Sequence, residues 1–304
     1  MKINHSHGIS PFHAWVLAIR LRTLPAAVAP VLVGTALAIA DGQFAVWPAI
    51  AAINVSLLLQ VSVNLANDYF DFHSGIDTED RRGPLRVSQS GLIAPARVKK
   101  GFSVTLGAAA AVGLYLVSVG GWPVLVIGLL SILATLAYSG GPYPMASHGL
   151  GELLVFLFFG LAAVCGTYYV QALNLTSRVI WMAVPVGLLI TAILVVNNLR
   201  DIPTDRRAGK NTLAVILKAR ATRIVYVSLL ASAYAIPVFL CLSSLNSGWI
   251  MLPLISIPMA MPIIRVIYMS EGPALNRALA KTANLSLVYS LLLSMGLILQ
   301  PCAP

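Results

Sequence analysis

Long apolar segments constrain this chain more than any other feature of its sequence. Nine runs are long enough to cross the hydrocarbon core of a bilayer as helices, which takes roughly 17–25 residues each. They cover approximately 24–40, 47–66, 102–118, 123–138, 152–171, 179–199, 224–243, 250–268 and 283–300. Only 10% of the 304 residues are charged, whereas a soluble domain has about 25%. The sequence therefore predicts an all-α polytopic membrane protein.

We expect one domain over residues 1–304, because no polar linker separates the apolar runs. Residues 1–19 are predicted to form a polar N-terminal tail. The long polar connections are 69–101 and 200–223, and both follow the even-numbered spans 2 and 6. They therefore lie on the same side of the membrane in this prediction.

The distribution of positive charge predicts the orientation. If the N-terminus is cytoplasmic and the spans alternate, all of the 20 Lys and Arg residues except Arg178 fall on the cytoplasmic side. Retention of Lys and Arg in the cytoplasm is the usual determinant of membrane topology. The net charge of +10 is thus explained by topology and membrane lipid, and we expect no nucleic-acid partner.

The two polar connections resemble one another. Val63-Asn-Leu-Ala-Asn-Asp68 is similar to Val196-Asn-Asn-Leu-Arg-Asp201, and Asp80-Arg-Arg-Gly83 is similar to Asp205-Arg-Arg207 with its following residues. Four spans separate the two copies, and an even number keeps the same orientation in the membrane. The similarity predicts a parallel four-helix repeat.

The first connection begins with closely spaced carboxylates. Asn64, Asn67, Asp68 and Asp71 follow the spacing i, i+3, i+4 and i+7, so they share one face if span 2 continues as a helix. Carboxylates one turn apart repel at the poorly solvated end of a membrane helix, which favours a bound cation. Asp77 follows in the loop and is a further candidate ligand.

The second connection carries Asp201 and Asp205, one helical turn apart, preceded by Asn197 and Asn198. Pro203 lies between the two aspartates and is expected to break the helix. Carboxylate and amide oxygens without His or Cys suit magnesium or calcium rather than zinc. Magnesium is usually held by one or two carboxylates plus phosphate oxygens, so two such clusters around one cavity would suit a diphosphate.

At these residues the sequence resembles the UbiA-type superfamily of intramembrane aromatic prenyltransferases. The resemblance lies in Asn67-Asp68-x-x-Asp71 and in Asp201-x-x-x-Asp205. The first motif departs from the family at residue 75, which is Gly, and the next acid is Asp77. Several further segments resemble the 1,4-dihydroxy-2-naphthoate prenyltransferases of menaquinone synthesis. They are Asn64-Leu-Ala-Asn-Asp-Tyr69, Gly75-Ile-Asp77, Gly83-Pro-Leu-Arg86, Arg22-Thr-Leu-Pro25, Gly149-Leu-Gly-Glu152, Asn198-Leu-Arg-Asp201 and Gly209-Lys-Asn-Thr-Leu213.

The resemblance implies nine helices around a central cavity in a bacterial cytoplasmic (inner) membrane. It implies a magnesium-dependent transfer of a polyprenyl chain from polyprenyl diphosphate to 1,4-dihydroxy-2-naphthoate, with loss of carbon dioxide, giving demethylmenaquinone. The implied metal ligands are Asp68, Asp71, Asp77, Asp201 and Asp205, and Lys210 joins the aspartates as a catalytic residue. The expected substrate-binding residues are Arg22, Asn64, Asn67, Arg81, Arg82, Tyr138, Tyr143, Asn197 and Asn198.

Two alternatives are open on sequence grounds. One is a related prenyltransferase for another aromatic acceptor, such as 4-hydroxybenzoate. Enzymes for that acceptor typically carry a cation just after the tyrosine equivalent to Tyr138, and none follows here before Arg178. The other alternative is a secondary transporter, whose acids should lie near the bilayer midplane. The acids of the two polar connections lie at one membrane face.

Overall fold

The computed structural model of the protein describes residues 9–75, 83, 85–243 and 248–300. Every regular element in these ranges is a helix. The α-helices are α1 (Pro11–Ile19), α2 (Pro25–Ala40), α3 (Val46–His73), α4 (Pro95–Gly120), α5 (Trp122–Ser139), α6 (Gly151–Val155), α7 (Ala163–Ala172), α8 (Ser177–Arg207), α9 (Leu213–Leu242), α10 (Ile257–Met269) and α11 (Leu275–Ile298). A π-helical segment, Phe156–Ala162, joins α6 to α7.

Eight helices of the described chain are long and apolar enough to cross a membrane. A ninth span arises if the bent pair Pro11–Thr23 and Pro25–Ala40, which meet at 50°, counts as one. Arg20 lies at this bend with a left-handed backbone, φ 56°. The predicted all-α polytopic fold is confirmed.

The N-terminal segment is not simply a polar tail. Pro11–Ile19 forms α1, and the Ser10 side chain caps it by accepting a hydrogen bond from an N–H of the first turn. Ala14 and Ala18 of α1 are buried in one cluster with Leu65 of α3. The segment predicted as a polar tail thus contains a helix, which is too short to register as a span.

The polar connections predicted at 69–101 and 200–223 are shorter than expected. α3 continues through His73 and α8 through Arg207. Charged residues lower the hydropathy of a segment without ending a helix, so the apolar runs alone underestimated the lengths of α3 and α8. As a result, Asp71, Asp201 and Asp205, which fall within the predicted connections, lie on helices rather than in loops.

Pro203 does not end α8, contrary to the prediction. A proline has no N–H, so the carbonyl of Leu199 loses its partner four residues on. The helix nevertheless continues, and the Thr204 hydroxyl donates a hydrogen bond to the Asp201 carbonyl at 2.8 Å. Asp201 and Asp205 therefore lie on one continuous helix.

α8 lies at the centre of the bundle, and most of its apolar side chains are buried against α2, α9 and α11. α4 and α5 lie at the periphery and expose large side chains such as Val104, Leu130 and Leu133. Lipid tails are as apolar as leucine, so these two helices form a wall that faces lipid.

The packing agrees with the proposed internal repeat. α3 packs most extensively on α4, and α8 packs most extensively on α9. The two helices that carry aspartates thus have corresponding partners, as a parallel repeat requires. The repeat itself stays a prediction.

The π-helical segment crosses α8 at two glycines. A Cβ atom on Gly160 would lie 2.4 Å from the Cα atom of Gly187, and one on Gly187 would lie 3.1 Å from the Cα atom of Gly160. Only residues without a side chain let two helix backbones approach this closely. The crossing therefore depends on both glycines.

Four helices are joined at the end of the bundle opposite the aspartates. Asp41, just after α2, accepts hydrogen bonds from Arg178 at 2.9 Å and from the Tyr168 hydroxyl at 2.7 Å. Arg178 also donates to Gln300, which follows α11. This network connects the ends of α2, α7, α8 and α11.

We expect Gly160→Ala to lower the stability of the bundle, because the added methyl group pushes α8 away from the π-helical segment. Overpacking of this kind costs about 1–3 kcal/mol. The measurement is the melting temperature of the purified protein in detergent. Gly107→Ala is the matched control, since a Cβ atom there meets nothing within 4 Å. Equal melting temperatures for the two variants would contradict the close crossing.

Candidate active site

A cavity of about 510 Å³ lies inside the bundle, between α2, α3, α4, α5, α7 and α8. Its polar lining is concentrated where α3 and α8 carry their aspartates. The polar side chains at this end are Asn67, Asp71, Arg86, Tyr138, Asn197, Asn198, Asp201, Asp205 and Lys210. Apolar residues line most of the remaining surface, so the cavity joins a charged mouth to an apolar interior.

Asp71 connects the two sequence motifs. Its Oδ2 atom lies 2.7 Å from Nη2 of Arg86, and its Oδ1 atom lies 3.2 Å from Nζ of Lys210. The side chains of Asp71 and Arg86 are 9% and 5% exposed. Gly209 adopts φ 72° after the end of α8, a left-handed turn that glycine allows and that precedes Lys210. One carboxylate therefore joins α3 to the α8–α9 connection.

Asp68 does not line the cavity. It is 2% exposed, and its two carboxylate oxygens accept hydrogen bonds from the backbone N–H groups of Val87 and Ser88, both at 3.0 Å. Adjacent helical residues point about 100° apart, so Asp68 and Asn67 cannot face the same way. The geometry does not support the expected metal-ligand role of Asp68 and assigns it to holding residues 87 and 88 instead.

Asp201 is held by the arginine that precedes it. Arg200 is 1% exposed, and its Nε and Nη2 atoms donate to the two carboxylate oxygens of Asp201 at 2.8 and 2.5 Å. Arg200 also donates to Asn197 at 2.8 Å and to Asn276 of α11 at 2.7 Å. Asp205, one turn further, lines the same cavity. The second motif is thus braced by a buried cation.

Two asparagines of the motifs are oriented by neighbouring helices. The Ser139 hydroxyl donates to Oδ1 of Asn67 at 2.5 Å. The amide nitrogen of Asn198 donates to Oε1 of Glu152 at 2.9 Å, and Glu152 is buried at 7% exposure. Because these partners lie on α5 and α6, both helices contribute to the shape of the charged mouth.

Asn64 also lines the cavity, but its amide group belongs to the bend between α1 and α2. Its nitrogen donates to the carbonyl of Ile19 at 2.8 Å and to the hydroxyl of Thr23 at 3.0 Å. Gln60, one turn earlier on α3, donates to Thr23 and Asn64 at 3.3 Å. These contacts make Asn64 a support for the bend as well as a lining residue.

Two predicted substrate-binding residues do not reach the cavity. Arg22 is exposed and absent from the lining, whereas Arg20, two residues earlier, lines it. Tyr143 is 57% exposed and stacks on His148 with ring centroids 3.7 Å apart. The bend before α2 directs Arg22 away from the cavity, and the turn after α5 places Tyr143 outside it. Neither side chain lines the cavity, and their substrate-binding roles stay predictions.

Three other predicted residues, Asp77, Arg81 and Arg82, lie outside the described residues. Sequence reasoning also missed several lining or supporting residues, namely Arg20, Arg86, Ser139, Glu152 and Arg200. Arg86 and Glu152 lie within segments that carried the family resemblance, so a signal for them was present. Arg200 also lies within such a segment, Asn198-Leu-Arg-Asp201, but its burial and its pairing with Asp201 depend on tertiary structure.

The charged mouth suits a hard divalent cation. Its candidate ligands are the oxygens of Asn67, Asp71, Asn197, Asp201 and Asp205, without histidine or cysteine. Among the described residues, no group of three or more His, Cys, Asp or Glu lies close enough to form a complete metal site. The arrangement fits magnesium, which needs only one or two carboxylates when phosphate oxygens supply other ligands.

Comparison with known proteins agrees with this geometry. The sequence profile described as the UbiA prenyltransferase family matches residues 27–288. A protein of Escherichia coli strain K12 named 1,4-dihydroxy-2-naphthoate octaprenyltransferase is 38% identical over 302 residues, covering 97% of this chain and 98% of that protein. A protein of the same name from Mycobacterium tuberculosis is 40% identical over 253 residues, covering 83% and 85%.

The fold is similar to a solved structure of a UbiA homologue from Archaeoglobus fulgidus bound to GPP and Mg²⁺. The TM-score is 0.65 at 13% sequence identity, and the match covers 92% of this chain and 99% of that one. At this identity the likeness concerns the fold alone.

We expect Asp68→Ala to destabilise the folded protein, because two buried N–H groups lose their acceptor. Each unsatisfied group costs about 1–3 kcal/mol. Thermal unfolding in detergent measures the loss. Asn54→Ala is the control on the same helix, since Asn54 is exposed and its amide nitrogen donates to the carbonyl of Ile50 within that helix. If Asp68→Ala melted no lower than the control, the assigned role of Asp68 would be wrong.

Proposed function

The chain belongs to the UbiA prenyltransferase family, and on this basis we propose that it transfers a polyprenyl chain from polyprenyl diphosphate to 1,4-dihydroxy-2-naphthoate. The observation that carries the proposal is the meeting of two carboxylate-bearing helices at the mouth of one apolar cavity. The similarity to two 1,4-dihydroxy-2-naphthoate octaprenyltransferases over most of the chain supports this acceptor.

We infer that magnesium acts at the charged mouth. The residues that would hold it are Asp71, Asp201 and Asp205, with the amide oxygens of Asn67 and Asn197. Asp77 stays a candidate. When bound, magnesium supplies positive charge that neutralises the diphosphate and stabilises it as a leaving group. The solved homologue that binds GPP and Mg²⁺ supports the inference by analogy of fold.

Arg86 and Lys210 are the cations best situated for the diphosphate. Both contact Asp71 and both line the cavity. Negative charge grows on the diphosphate as the allylic C–O bond breaks, and fixed cations in a poorly hydrated site stabilise that charge strongly. We propose that these two side chains exchange part of their contact with Asp71 for contact with phosphate oxygens when the donor binds.

The apolar interior has two tasks in this reaction. It holds the isoprenoid, and it excludes water that would capture the allylic carbocation. Tyr138 lines the cavity near the mouth, and its ring is a candidate for contact with the cation or the acceptor. A naphthoate ring carbon forms the new C–C bond, and the carboxylate leaves as carbon dioxide. No electrons are removed, so demethylmenaquinone is formed at its hydroquinone level.

We predict that replacing Asp71 or Asp201 by Asn lowers turnover by about a hundred-fold to a thousand-fold, as expected for loss of an electrostatic contact in the transition state. Product formation in membranes, normalised to the amount of folded protein, measures the effect. Glu271→Gln is the control, because the Glu271 side chain is 81% exposed and its ion pair with Arg223 is long, at 3.5 Å. Unchanged turnover in both aspartate variants would refute the two-motif mechanism.

We also propose that the N-terminus and the charged mouth face the cytoplasm of a bacterial inner membrane. In a background without the native cysteines, Gln43→Cys at the opposite end should react with a membrane-impermeant thiol reagent in intact cells. Arg206→Cys should react only after the cells are opened. Both positions are exposed. The reverse labelling pattern would overturn the orientation.

The function itself is tested with membranes that contain the chain, magnesium, a polyprenyl diphosphate and carboxyl-labelled 1,4-dihydroxy-2-naphthoate. We expect labelled carbon dioxide and prenylated product together, and loss of both on addition of a chelator. Prenylation of 4-hydroxybenzoate without reaction of the naphthoate would keep the reaction class and reject the acceptor. Counterflow without any product would favour a transporter and reject the proposal.

A further inference from the structure

The apolar part of the cavity contains three glycines on three different helices. Gly113 of α4, Gly128 of α5 and Gly166 of α7 all line it. A Cβ atom built on any of them would meet no atom within 4 Å. At Gly160 and Gly187, in contrast, a Cβ atom would clash with the backbone of the neighbouring helix. The space beside the three glycines is therefore open cavity.

The three glycines lie at a similar depth. Gly113 precedes the end of α4 at Gly120 by seven residues, Gly128 follows the start of α5 at Trp122 by six, and Gly166 precedes the end of α7 at Ala172 by six. All three ends lie opposite the aspartates. We call these three residues the glycine ring.

The distance from the charged mouth to the glycine ring follows from α5. Ser139, at the end of α5, donates to Asn67 and so marks the level of the mouth. Gly128 lies eleven residues earlier, which at the rise of an α-helix is about 16 Å. An extended isoprene unit is about as long as one helical turn, roughly 5 Å. A geranyl chain ends below the glycine ring, and an octaprenyl chain reaches far beyond it.

About one helical turn beyond the glycine ring, near 5 Å, the cavity lining is apolar. Val31, Ala52, Leu116, Val124 and Val170 pack together there. A long isoprenoid can turn at this level or leave between α5 and α7, which pack only loosely on each other. Either route passes the glycine ring.

We propose that Gly113, Gly128 and Gly166 determine the length class of polyprenyl diphosphate that the chain accepts, by keeping the cavity open at a level that only longer isoprenoids reach. This inference rests on the proposed prenyl transfer and adds its donor specificity. A side chain at any of these positions would fill the space that the distal isoprene units need, while the charged mouth is unchanged.

The experiment compares geranyl diphosphate with octaprenyl diphosphate as donors for the wild type, Gly128→Leu and Gly166→Leu. The readout is the ratio of kcat/KM for the two donors within each variant. A mismatch of a single methylene group in an apolar pocket changes kcat/KM by about 10-fold to 200-fold. We expect a loss of that size for the octaprenyl donor only, and geranyl transfer close to that of the wild type.

Gly107→Leu is the matched control. Gly107 lies on α4, is exposed and does not line the cavity, and a Cβ atom there also meets nothing within 4 Å. Its donor ratio should equal that of the wild type. An unchanged ratio in both glycine-ring variants, or an equal change in Gly107→Leu, would overturn the inference.

Two further outcomes are separable. If a leucine variant loses both donors, the smaller changes Gly128→Ala and Gly166→Ala decide, and their ratio must shift in the same direction or the inference is wrong. If the wild type forms no product from either donor, the proposed function fails instead.

Discussion

A carboxylate buried at the end of a membrane helix needs positive charge or hydrogen-bond donors beside it, and this requirement organises the polar end of the bundle. Asp71 is paired with Arg86 and Lys210, which come from two different connections. Asp201 is paired with Arg200, which α11 supports through Asn276. Arg86 and Lys210 hold their connections against α3, and Arg200 links α8 to α11. The charged mouth is therefore assembled by electrostatics, and the apolar helices only supply its frame.

The same pairing reduces repulsion among the carboxylates around the cavity. Isolated carboxylates there would repel one another, but Asp71 and Asp201 are each paired with a buried arginine. Phosphate groups and carboxylates compete for the same guanidinium and ammonium donors. In the proposed reaction, a diphosphate would therefore compete with Asp71 for Arg86 and Lys210.

The sequence predicted the number and approximate position of the spans, because apolar runs of this length have few alternative structures. It predicted that Asp71 and Asp201 belong to one site, since both follow spans of the same direction. It did not predict which side chains line the cavity where this depends on the direction a residue faces on a helix or on a local bend. Asp68 and Asp71 point in different directions from the same helix, and only Asp71 lines the cavity. The bend before α2 brings Arg20 to the cavity and not Arg22. The pairing of Arg86 with Asp71 depends on tertiary structure, which a single sequence does not encode locally.

The crossing of Gly160 and Gly187 has a mechanical consequence for the site. Gly187 lies fourteen residues before Asp201 on α8, which corresponds to about 21 Å along the helix. If α8 tilted by about five degrees at Gly187, the aspartate would move by about 2 Å, which is comparable to the length of a metal–oxygen bond. The backbone contact in the middle of the membrane thus fixes the alignment of the charged groups at its surface. A looser crossing would therefore misalign the charged groups of the site before it unfolded the bundle.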